Sequence, residues 1–205
     1  MNTTSMPLFP LGSVLFPDGA LPLQIFEVRY LNLIKRCVQN NTPFGVVSLL
    51  DGNEVRRPGE QISLAKYGTL ARVEHFEEVT PALFRIQCIG TQRFELHSAQ
   101  QEAAGLWMGQ IRVLEKDAQV PVPDDLQHTA KKLEELMEQV ALQGIPDEQM
   151  PFYPPYHFED CGWVANRWAE LMPLAKSTKL QLLVLDNPLL RLELVNDALH
   201  AQGMA

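Results

Sequence analysis

The amino-acid sequence predicts an α+β fold, in which a β-rich lobe over residues 1–119 is followed by an α-helical bundle over residues 120–205. Two patterns lead to this division. Apolar and polar residues alternate through much of the stretch 66–114, which is typical of strands with one buried face. After the proline-rich stretch 120–125, apolar residues instead recur at spacings of three and four, as on a packed helix.

The first forty residues hold two short apolar runs, each interrupted by prolines, and then a segment with helical periodicity. Because proline has no N–H to give to a sheet, these runs predict short strands at an edge or an end of a sheet. Between the runs, Pro17-Asp18-Gly19 predicts a sharp turn in which Gly19 takes a positive φ. The apolar spacing over 28–40, starting at Val28, predicts a short amphipathic helix.

The rest of the β-rich lobe is predicted to form strands and turns. The apolar run 44–50 predicts a strand buried on both faces, and residues 51–65 predict an irregular loop. Alternation over 84–88 predicts a strand that turns Arg85 and Gln87 towards solvent.

A turn at Gly90-Thr91-Gln92 predicts that the next strand forms a hairpin with the strand over 84–88. A further strand is predicted around Trp107 to Val113. Together these strands predict a partly closed sheet with one early helix.

Four helices are predicted after residue 120. Asp124 or Asp125 is expected to cap the first, which Gln143-Gly144-Ile145-Pro146 ends. The second holds Trp163 to Leu171, and the third covers about 177–185. Asn187-Pro188 predicts the start of the fourth, as cap and first-turn proline.

Composition limits the kind of protein. The chain is 46% hydrophobic and 20% charged, as ordinary globular proteins are. Its three cysteines, Cys37, Cys88 and Cys161, have no Cys-x-x-Cys spacing, which favours reduced, buried thiols in a cytoplasmic protein. The N-terminus lacks the basic segment of a signal peptide, and no apolar run is long enough for a membrane span.

Charge is unevenly distributed along the chain. Residues 1–120 hold 11 Lys+Arg and 12 Asp+Glu, a net of −1, whereas residues 121–205 hold 6 and 13, a net of −7. Such an acidic half repels phosphate groups, so nucleic acids and anionic membrane surfaces are not expected partners.

The order of proline, aromatic and charged residues in the first thirty positions is specific. The opening runs are Leu8-Phe9-Pro10-Leu11, Val14-Leu15-Phe16-Pro17, Leu21-Pro22-Leu23, Ile25-Phe26-Glu27 and Arg29-Tyr30. Weaker motifs continue almost to the last helix, at Phe44-Gly45-Val46-Val47, Tyr67-Gly68-Thr69-Leu70-Ala71, Arg93-Phe94, Trp168-Ala169-Glu170-Leu171 and Leu180-Gln181-Leu182-Leu183. On these residues the chain resembles the Lon protease N-terminal (substrate-binding) domain family.

The resemblance implies a PUA-like β lobe with a helical bundle, used to recognise polypeptide substrates. Lon proteases continue into an ATPase and a protease, but this chain has neither a Gly-x-x-x-x-Gly-Lys-[Ser/Thr] phosphate loop nor a segment for the Ser-Lys dyad. It also has no Gly-x-Ser-x-Gly elbow. We therefore expect a standalone, non-catalytic binding domain that needs no cofactor. Phe9, Phe16, Ile25 and Phe26 are expected in the core, and Arg29 is expected to form an ion pair with Glu27.

Two stretches could carry a site. His157 and Cys161 stand four residues apart and could share a helix face as metal ligands, with Glu159 between them. A closed zinc site needs four ligands, so the favoured interpretation is a helix start, in which Glu159 and Asp160 complement the helix dipole.

The second stretch, 150–158, carries four aromatic residues among three prolines. It could form an apolar platform for extended polypeptide. The favoured alternative is that its rings pack onto the bundle or seal the interface between the lobes. If it is a platform, the residues expected to bind polypeptide are Phe152, Tyr153, Tyr156 and Phe158.

Three functions remain open. The leading one is a polypeptide-binding module that uses exposed sheet edges or the groove between the lobes. The alternative is an adaptor that docks one folded protein through the acidic helical half. The least favoured is a small-molecule enzyme with a site between the lobes.

Overall fold

The computed structural model describes residues 3–52, 62–144 and 150–204. The chain divides into two compact units, Met1–Glu115 and Lys116–Ala205. Within the described residues the first unit carries the strands and one helix, and the second carries helices. No described helix is long and apolar enough to cross a membrane.

The described part of the first unit consists of six strands and one helix. Two strands of 18 and 19 residues, β4 and β5, are much longer than the others. The described elements are β1 (Thr4–Leu11), β2 (Ala20–Ile25), α1 (Val28–Asn40), β3 (Phe44–Asp51), β4 (Ser63–Thr80), β5 (Leu83–Gln101) and β6 (Trp107–Val113). Of the loop predicted over 51–65, residues 53–61 lie outside the described residues, and its last residues already belong to β4.

Five of these strands form a closed ring. β1 pairs in parallel with β3, and antiparallel pairs then run from β3 to β4, β5 and β6. The ring closes because β6 also pairs with β1. β2 stays outside the ring and pairs antiparallel with the first half of β5, where Ile25 lies opposite Phe84. The predicted sheet, closed in part and with one early helix, is confirmed.

The ring is filled by side chains that lie against bare backbone. Phe94 and Leu8 are both fully buried. A Cβ atom added to Gly68 would lie 2.5 Å from Cζ of Phe94 and closer still to the carbonyl oxygen of Val46. Position 68 therefore has no room for a side chain, since both the aromatic ring and the neighbouring strand approach its backbone.

The predicted turn at Gly90 is wrong, because β5 runs through this position without reversing. Gly90 instead forms backbone hydrogen bonds with the loop before β2. Its N–H donates to the carbonyl of Gly19 (2.9 Å), and its carbonyl accepts from the N–H of Asp18 (2.8 Å). A side chain here would collide with the carbonyl oxygen of Phe16. In the turn itself, Asp18 rather than Gly19 takes the positive φ, of 60°.

Two other expectations about exposure are wrong. Gln87, predicted to face solvent, is buried, because Pro22 and His75 lie opposite it on the strands to either side. Phe26, predicted to lie in the core, is 58% exposed, and Val28 at the start of α1 is 71% exposed. The other aromatic residues of the opening, Phe9 and Phe16, are buried as predicted, as is Ile25.

Helix α1 packs against the sheet and forms an apolar core with it. Its residues Tyr30, Leu33, Ile34 and Cys37 are buried in one cluster with the strand residues beneath them. The rings of Phe9 and Tyr30 stack at 4.1 Å between centroids. The helix ends at Asn40 and is capped by Asn41, whose φ of 50° places it in the left-handed region.

The second unit contains the predicted helices. A 3₁₀ turn (Asp124–Leu126) leads into α2 (Gln127–Ala141), followed by α3 (Cys161–Leu171), α4 (Lys176–Val184) and α5 (Pro188–Ala201). The predicted cap role of Asp124 or Asp125 is wrong, because both lie inside the 3₁₀ turn and Pro123 precedes it. Of the predicted stop after α2, Ile145 and Pro146 lie outside the described residues.

The predicted start of α5 is confirmed. Pro188 is the first helical residue, and Oδ1 of Asn187 accepts hydrogen bonds from the N–H groups of Leu189 and Leu190. The start of α3 is made in the same way, with Oδ2 of Asp160 accepting from the N–H of Trp163 (3.1 Å).

A fully buried arginine ties the second unit together. Nη1 of Arg191 on α5 donates to Oδ2 of Asp117 (2.6 Å) and to Oδ1 of Asn166 on α3 (3.0 Å), and Nη2 donates to the carbonyl of Leu185. Hydrogen bonds and an ion pair offset the cost of burying a guanidinium, so these bonds fix the segment before the bundle to α3 and α5.

We expect Phe94→Ala to lower the free energy of unfolding by about 3–5 kcal/mol, because it leaves a cavity in the closed ring. Urea unfolding followed by circular dichroism measures this change. The matched control is Phe26→Ala, for which we expect a change within about 0.5 kcal/mol because the ring is largely exposed. Equal losses for the two variants would contradict the packing described here.

Candidate functional site

The first candidate surface is the free side of β2. Within the described residues, β2 pairs with β5 alone, so its other side has no partner strand. Pro22 and Gln24 are exposed along it. Phe26 and Val28, the two exposed apolar residues noted above, follow immediately. We call Ala20–Ile25 together with Phe26 and Val28 the β2 edge surface.

The end of this surface is held by a charged contact. Nη2 of Arg29 lies 2.8 Å from Oε2 of Glu27, which confirms the predicted ion pair, and Nη1 donates to the carbonyl of Gly105 (2.8 Å). The guanidinium also lies 4.6 Å from the centre of the Tyr30 ring. These contacts fix the turn from β2 into α1, which keeps Phe26 and Val28 in place on the outside.

The β2 edge surface offers two kinds of contact. An unpaired strand edge presents backbone N–H and C=O groups to any extended chain beside it. Exposed apolar side chains next to such an edge add area that loses water on contact. A small cavity of about 90 Å³ lies against it, lined by the ends of β1 and β2 and by Phe26, Glu27 and Tyr30.

The second candidate is a groove beside α1, of about 450 Å³. Its lining is apolar at the bottom, with Leu33 and Cys37 of α1 and Leu106 buried. The described residues that line it are Ser5, Met6, Pro7, Leu33, Arg36, Cys37, Asn40, Thr42, Pro43, Glu102, Leu106 and Met108. We call this the α1 groove. No direct signal in the sequence pointed to it, because its residues come from separate parts of the chain.

The third candidate is the aromatic stretch 150–158 of the second unit, with four side chains in three environments. Phe152 is 4% exposed and packs inside, whereas Tyr156 is 42% exposed, and Tyr153 and Phe158 are partly buried. The centre of the Phe158 ring lies 5.1 Å from that of Trp163 on α3.

The exposed ring belongs to this packed group. The centre of the Tyr156 ring lies 5.9 Å from that of Phe158 and 6.1 Å from that of Trp163. Phe158 also lines a shallow groove of about 390 Å³, whose other wall is formed by Gln127, Ala130, Lys131 and Glu134 of α2. The aromatic stretch therefore presents one exposed ring, supported by two others, beside a groove.

The proposed metal-ligand positions have other partners. Nδ1 of His157 lies 3.4 Å from Oε1 of Glu159, while Sγ of Cys161 lies 3.4 Å from the carbonyl oxygen of Pro121. Asp160 caps α3 and also accepts from the N–H of Val120 (3.0 Å). Among the described residues, no group of three His, Cys, Asp or Glu side chains could hold a metal ion.

The cysteines are buried free thiols, as predicted. Burial raises the pKa of Cys161 to about 11, and burial likewise raises the pKa of Cys37 and of Cys88 above the ordinary value. A thiol with a raised pKa is protonated near neutral pH, so none of the three is an activated nucleophile.

One carboxyl group on the outside of the ring has a strongly lowered pKa. Glu95 accepts hydrogen bonds from Nη2 (2.6 Å) and Nε (3.1 Å) of Arg112, and Nζ of Lys66 lies 2.9 Å from its other oxygen. The Arg112 hydrogen bonds, and next those of Lys66, lower the pKa of Glu95 to about 2. This cluster joins β4, β5 and β6.

Comparison with protein families gives one match over nearly the whole chain. Residues 5–201 match the family model described as the ATP-dependent protease La (LON) substrate-binding domain. The match includes both units and all the candidate surfaces described above.

Characterised relatives match over shorter stretches. The protein cereblon of Danio rerio is 25% identical over 117 residues, which are 55% of this chain and 26% of that protein. Lon protease 2 of Myxococcus xanthus is 32% identical over 99 residues, which are 48% of this chain and 12% of that protein. The chain thus spans about a quarter or less of the length of these relatives.

Two solved structures are similar over almost their full length. A Lon N-terminal domain protein from Xanthomonas campestris has a TM-score of 0.72 and 31% identity, covering 95% of this chain and 98% of that one. The N-terminal domain of the Mycobacterium avium complex Lon protease has a TM-score of 0.61 and 12% identity, covering 95% and 97%. The latter, at such low identity, shows the fold alone.

We expect Glu95→Gln to flatten the acid side of the stability curve. The pKa of Glu95 is lowered in the folded state, so its carboxylate adds to the free energy of unfolding above the ordinary pKa of 4.5. This stabilisation is lost as the pH falls towards 2. The wild type should therefore lose more stability than the variant between about pH 5 and pH 2.5. Urea midpoints across this range measure the difference, and parallel curves would contradict it.

Proposed function

Because this chain belongs to the family of the ATP-dependent protease La (LON) substrate-binding domain, we propose that it is a non-catalytic module that binds polypeptides in extended or unfolded form. The β2 edge surface is the observation that carries this proposal. It combines a strand edge that no described strand pairs with and the side chains of Phe26 and Val28, which are exposed although both are large and apolar.

The contacts of this surface suit a client without fixed structure. An extended chain that adds to β2 makes main-chain hydrogen bonds whatever its sequence, and its apolar side chains lie against Phe26 and Val28. Such binding uses little charge and should depend weakly on salt. Since β2 has only six residues, we expect weak binding to each short segment and stronger binding to chains that offer several.

The aromatic stretch is proposed as a second contact for the same clients. Tyr156 is its exposed ring, and Phe158 and Tyr153 are partly exposed, whereas Phe152 supports the stretch from inside. Aromatic rings held by other rings give a large contact area at a low entropy cost.

We also propose that the chain has no catalytic activity of its own. The strongly perturbed groups among the described residues have structural explanations: Glu95 lies in an ion cluster, and the three thiols are buried. Nucleic acids are not proposed as partners, given the net charge of −8. The buried free thiols support a cytoplasmic location.

A second candidate function is an adaptor for one folded partner. The observation that favours it is the acidic half of the chain, with a net charge of −7 over residues 121–205. Such a surface steers basic partners, and that binding should weaken sharply as the ionic strength rises.

The deciding experiment measures capture of a chemically unfolded test protein and of its folded form, each at low and at high salt. Selective capture of the unfolded form, with similar affinity at both salt concentrations, is the expected result. Capture of neither form would overturn the proposal. Binding to one folded protein that disappears at high salt would instead favour the adaptor.

We expect the double variant Phe26→Ser, Val28→Ser to weaken capture of the unfolded protein about tenfold, which corresponds to about 1.4 kcal/mol. Both side chains are exposed, so the free energy of unfolding should change by no more than about 0.5 kcal/mol for each. The matched control is Leu142→Ser, which removes an exposed apolar side chain, 86% exposed, from the second unit. Equal effects of the two changes would contradict a role for the β2 edge surface.

Strand pairing has its own test. Two peptides of the same sequence are compared, one N-methylated at the odd-numbered amides and the other at the even-numbered amides. We expect only one of them to lose binding, because only every second amide of an added strand faces β2. Affinities measured by fluorescence anisotropy distinguish the two sets. Equal binding of both methylated peptides would show that main-chain pairing is not used.

We expect Tyr156→Ser to weaken capture by about threefold, which is less than the effect at the β2 edge surface because a single exposed ring is lost. Leu190→Ser, which removes a similarly exposed apolar side chain from α5, is the control. Unchanged capture by Tyr156→Ser would show that the aromatic stretch serves only to pack the second unit.

A further inference from the structure

The α1 groove differs from the β2 edge surface in what it offers. Its helical wall is formed by Leu33, Arg36, Cys37 and Asn40, which follow the i, i+3, i+4, i+7 spacing of one helix face. The backbone groups within a helix are already bonded, so this wall presents side chains only. Pro7 and Pro43, which also line the groove, have no N–H to give to an added strand.

Two charges of opposite sign stand at this groove. Arg36 comes from α1, and Glu102 follows the end of β5, so they belong to different walls. Both are exposed, and neither side chain forms an ion pair or hydrogen bond with another described residue.

The other exposed cations described in the first unit differ in this respect. Lys35, the residue next to Arg36, lies 3.8 Å from Glu78, and Arg85 lies 2.7 Å from Glu77. Lys66 likewise contacts Glu95. An apolar groove flanked by two charges that no described residue matches is complementary to a ligand with an apolar centre and opposite charges on its two sides.

We propose that the α1 groove docks an amphipathic helix of a partner polypeptide. Apolar residues of that helix enter the groove over Leu33, Leu106 and Met108. An acidic residue on one flank faces Arg36, and a basic residue on the other flank faces Glu102. A helix suits the site because ridges of its side chains pack against the i, i+3, i+4 rows of α1, and because such docking needs no main-chain pairing.

This inference is separate from the proposed function, since the β2 edge surface binds chains through their backbone and the α1 groove recognises side chains. The groove volume of about 450 Å³ lies within the range of well-formed ligand sites. It can take the apolar anchors of a helix but not the whole helix, whose polar face stays in solvent.

The test uses three helical peptides with the same leucine face and different flanks. One carries Glu on one flank and Lys on the other, the second carries Lys on both, and the third carries Glu on both. Fluorescence anisotropy with the full chain measures their affinities. We expect the wild type to bind the mixed peptide at least tenfold more tightly than either of the others.

Charge reversal in the protein should move this preference in a defined way. Arg36→Glu makes both walls acidic and should favour the peptide with Lys on both flanks, whereas Glu102→Lys should favour the peptide with Glu on both. The double reversal should restore the preference for the mixed peptide, which can dock in the opposite direction. The matched control is Lys35→Glu on the same helix, which lies outside the groove lining and should leave the preference unchanged.

Each outcome decides the inference. Equal affinity of the wild type for the three peptides, or a preference that Arg36→Glu does not shift, would overturn it. Equal binding of a mixed peptide broken by proline would show that the groove takes an extended chain, and would also overturn it. The Phe26→Ser, Val28→Ser variant should bind the mixed peptide as the wild type does, so loss of unfolded-protein capture and loss of helix docking are told apart.

Discussion

The closure of the five-strand ring around Phe94 is the packing constraint on which the first unit depends. A ring this small has space for few side chains, and Phe94 fits because Gly68 on the neighbouring strand and Gly45 on β3 present bare backbone to it. The 19 residues of β5 then extend beyond the ring, where their first half pairs with β2. β5 therefore belongs both to the filled ring and to the part of the sheet outside it, where β2, the first half of β5 and the part of β4 beyond Ala71 pair, which we call the outer arm.

Closure has a direct consequence for function. Strands within a closed ring have no free edges, so within the described residues the free edges lie in the outer arm, at β2 and at the part of β4 beyond Ala71. The β4 edge carries charged residues, whereas β2 is protected by its short length of six residues and by Pro22. Despite this protection, Phe26 and Val28 stand exposed at the end of β2. The exposed apolar residues allow this edge to bind polypeptides weakly. Its short length and Pro22 limit edge-to-edge pairing between copies of the chain, which would lead to aggregation.

The second unit is organised by buried polar contacts as much as by its apolar core. Arg191 has no exposed surface and joins Asp117, Asn166 and Leu185, while Nε1 of Trp168 donates to the carbonyl of Thr129 on α2 (2.9 Å). These contacts connect helices that are distant in sequence, and removing one partner would leave a buried donor without compensation. With the interior fixed in this way, the aromatic stretch can hold Tyr156 outside while Phe152 packs within.

The sequence by itself determined the features that depend on neighbouring residues. The Asn187-Pro188 start of α5, the ion pair of Glu27 with Arg29 and the bounds of α1 involve groups only a few residues apart, so local pattern was enough. The order of residues in the opening was also enough to indicate the family. Only the tertiary structure decided the role of Gly90, the exposure of Phe26 and the placement of Arg36 and Glu102 on the two walls of one groove. Each of these depends on which distant segment lies alongside, and a local pattern of glycine, aromatic or charge is the same whether that neighbour is another strand, a loop or solvent.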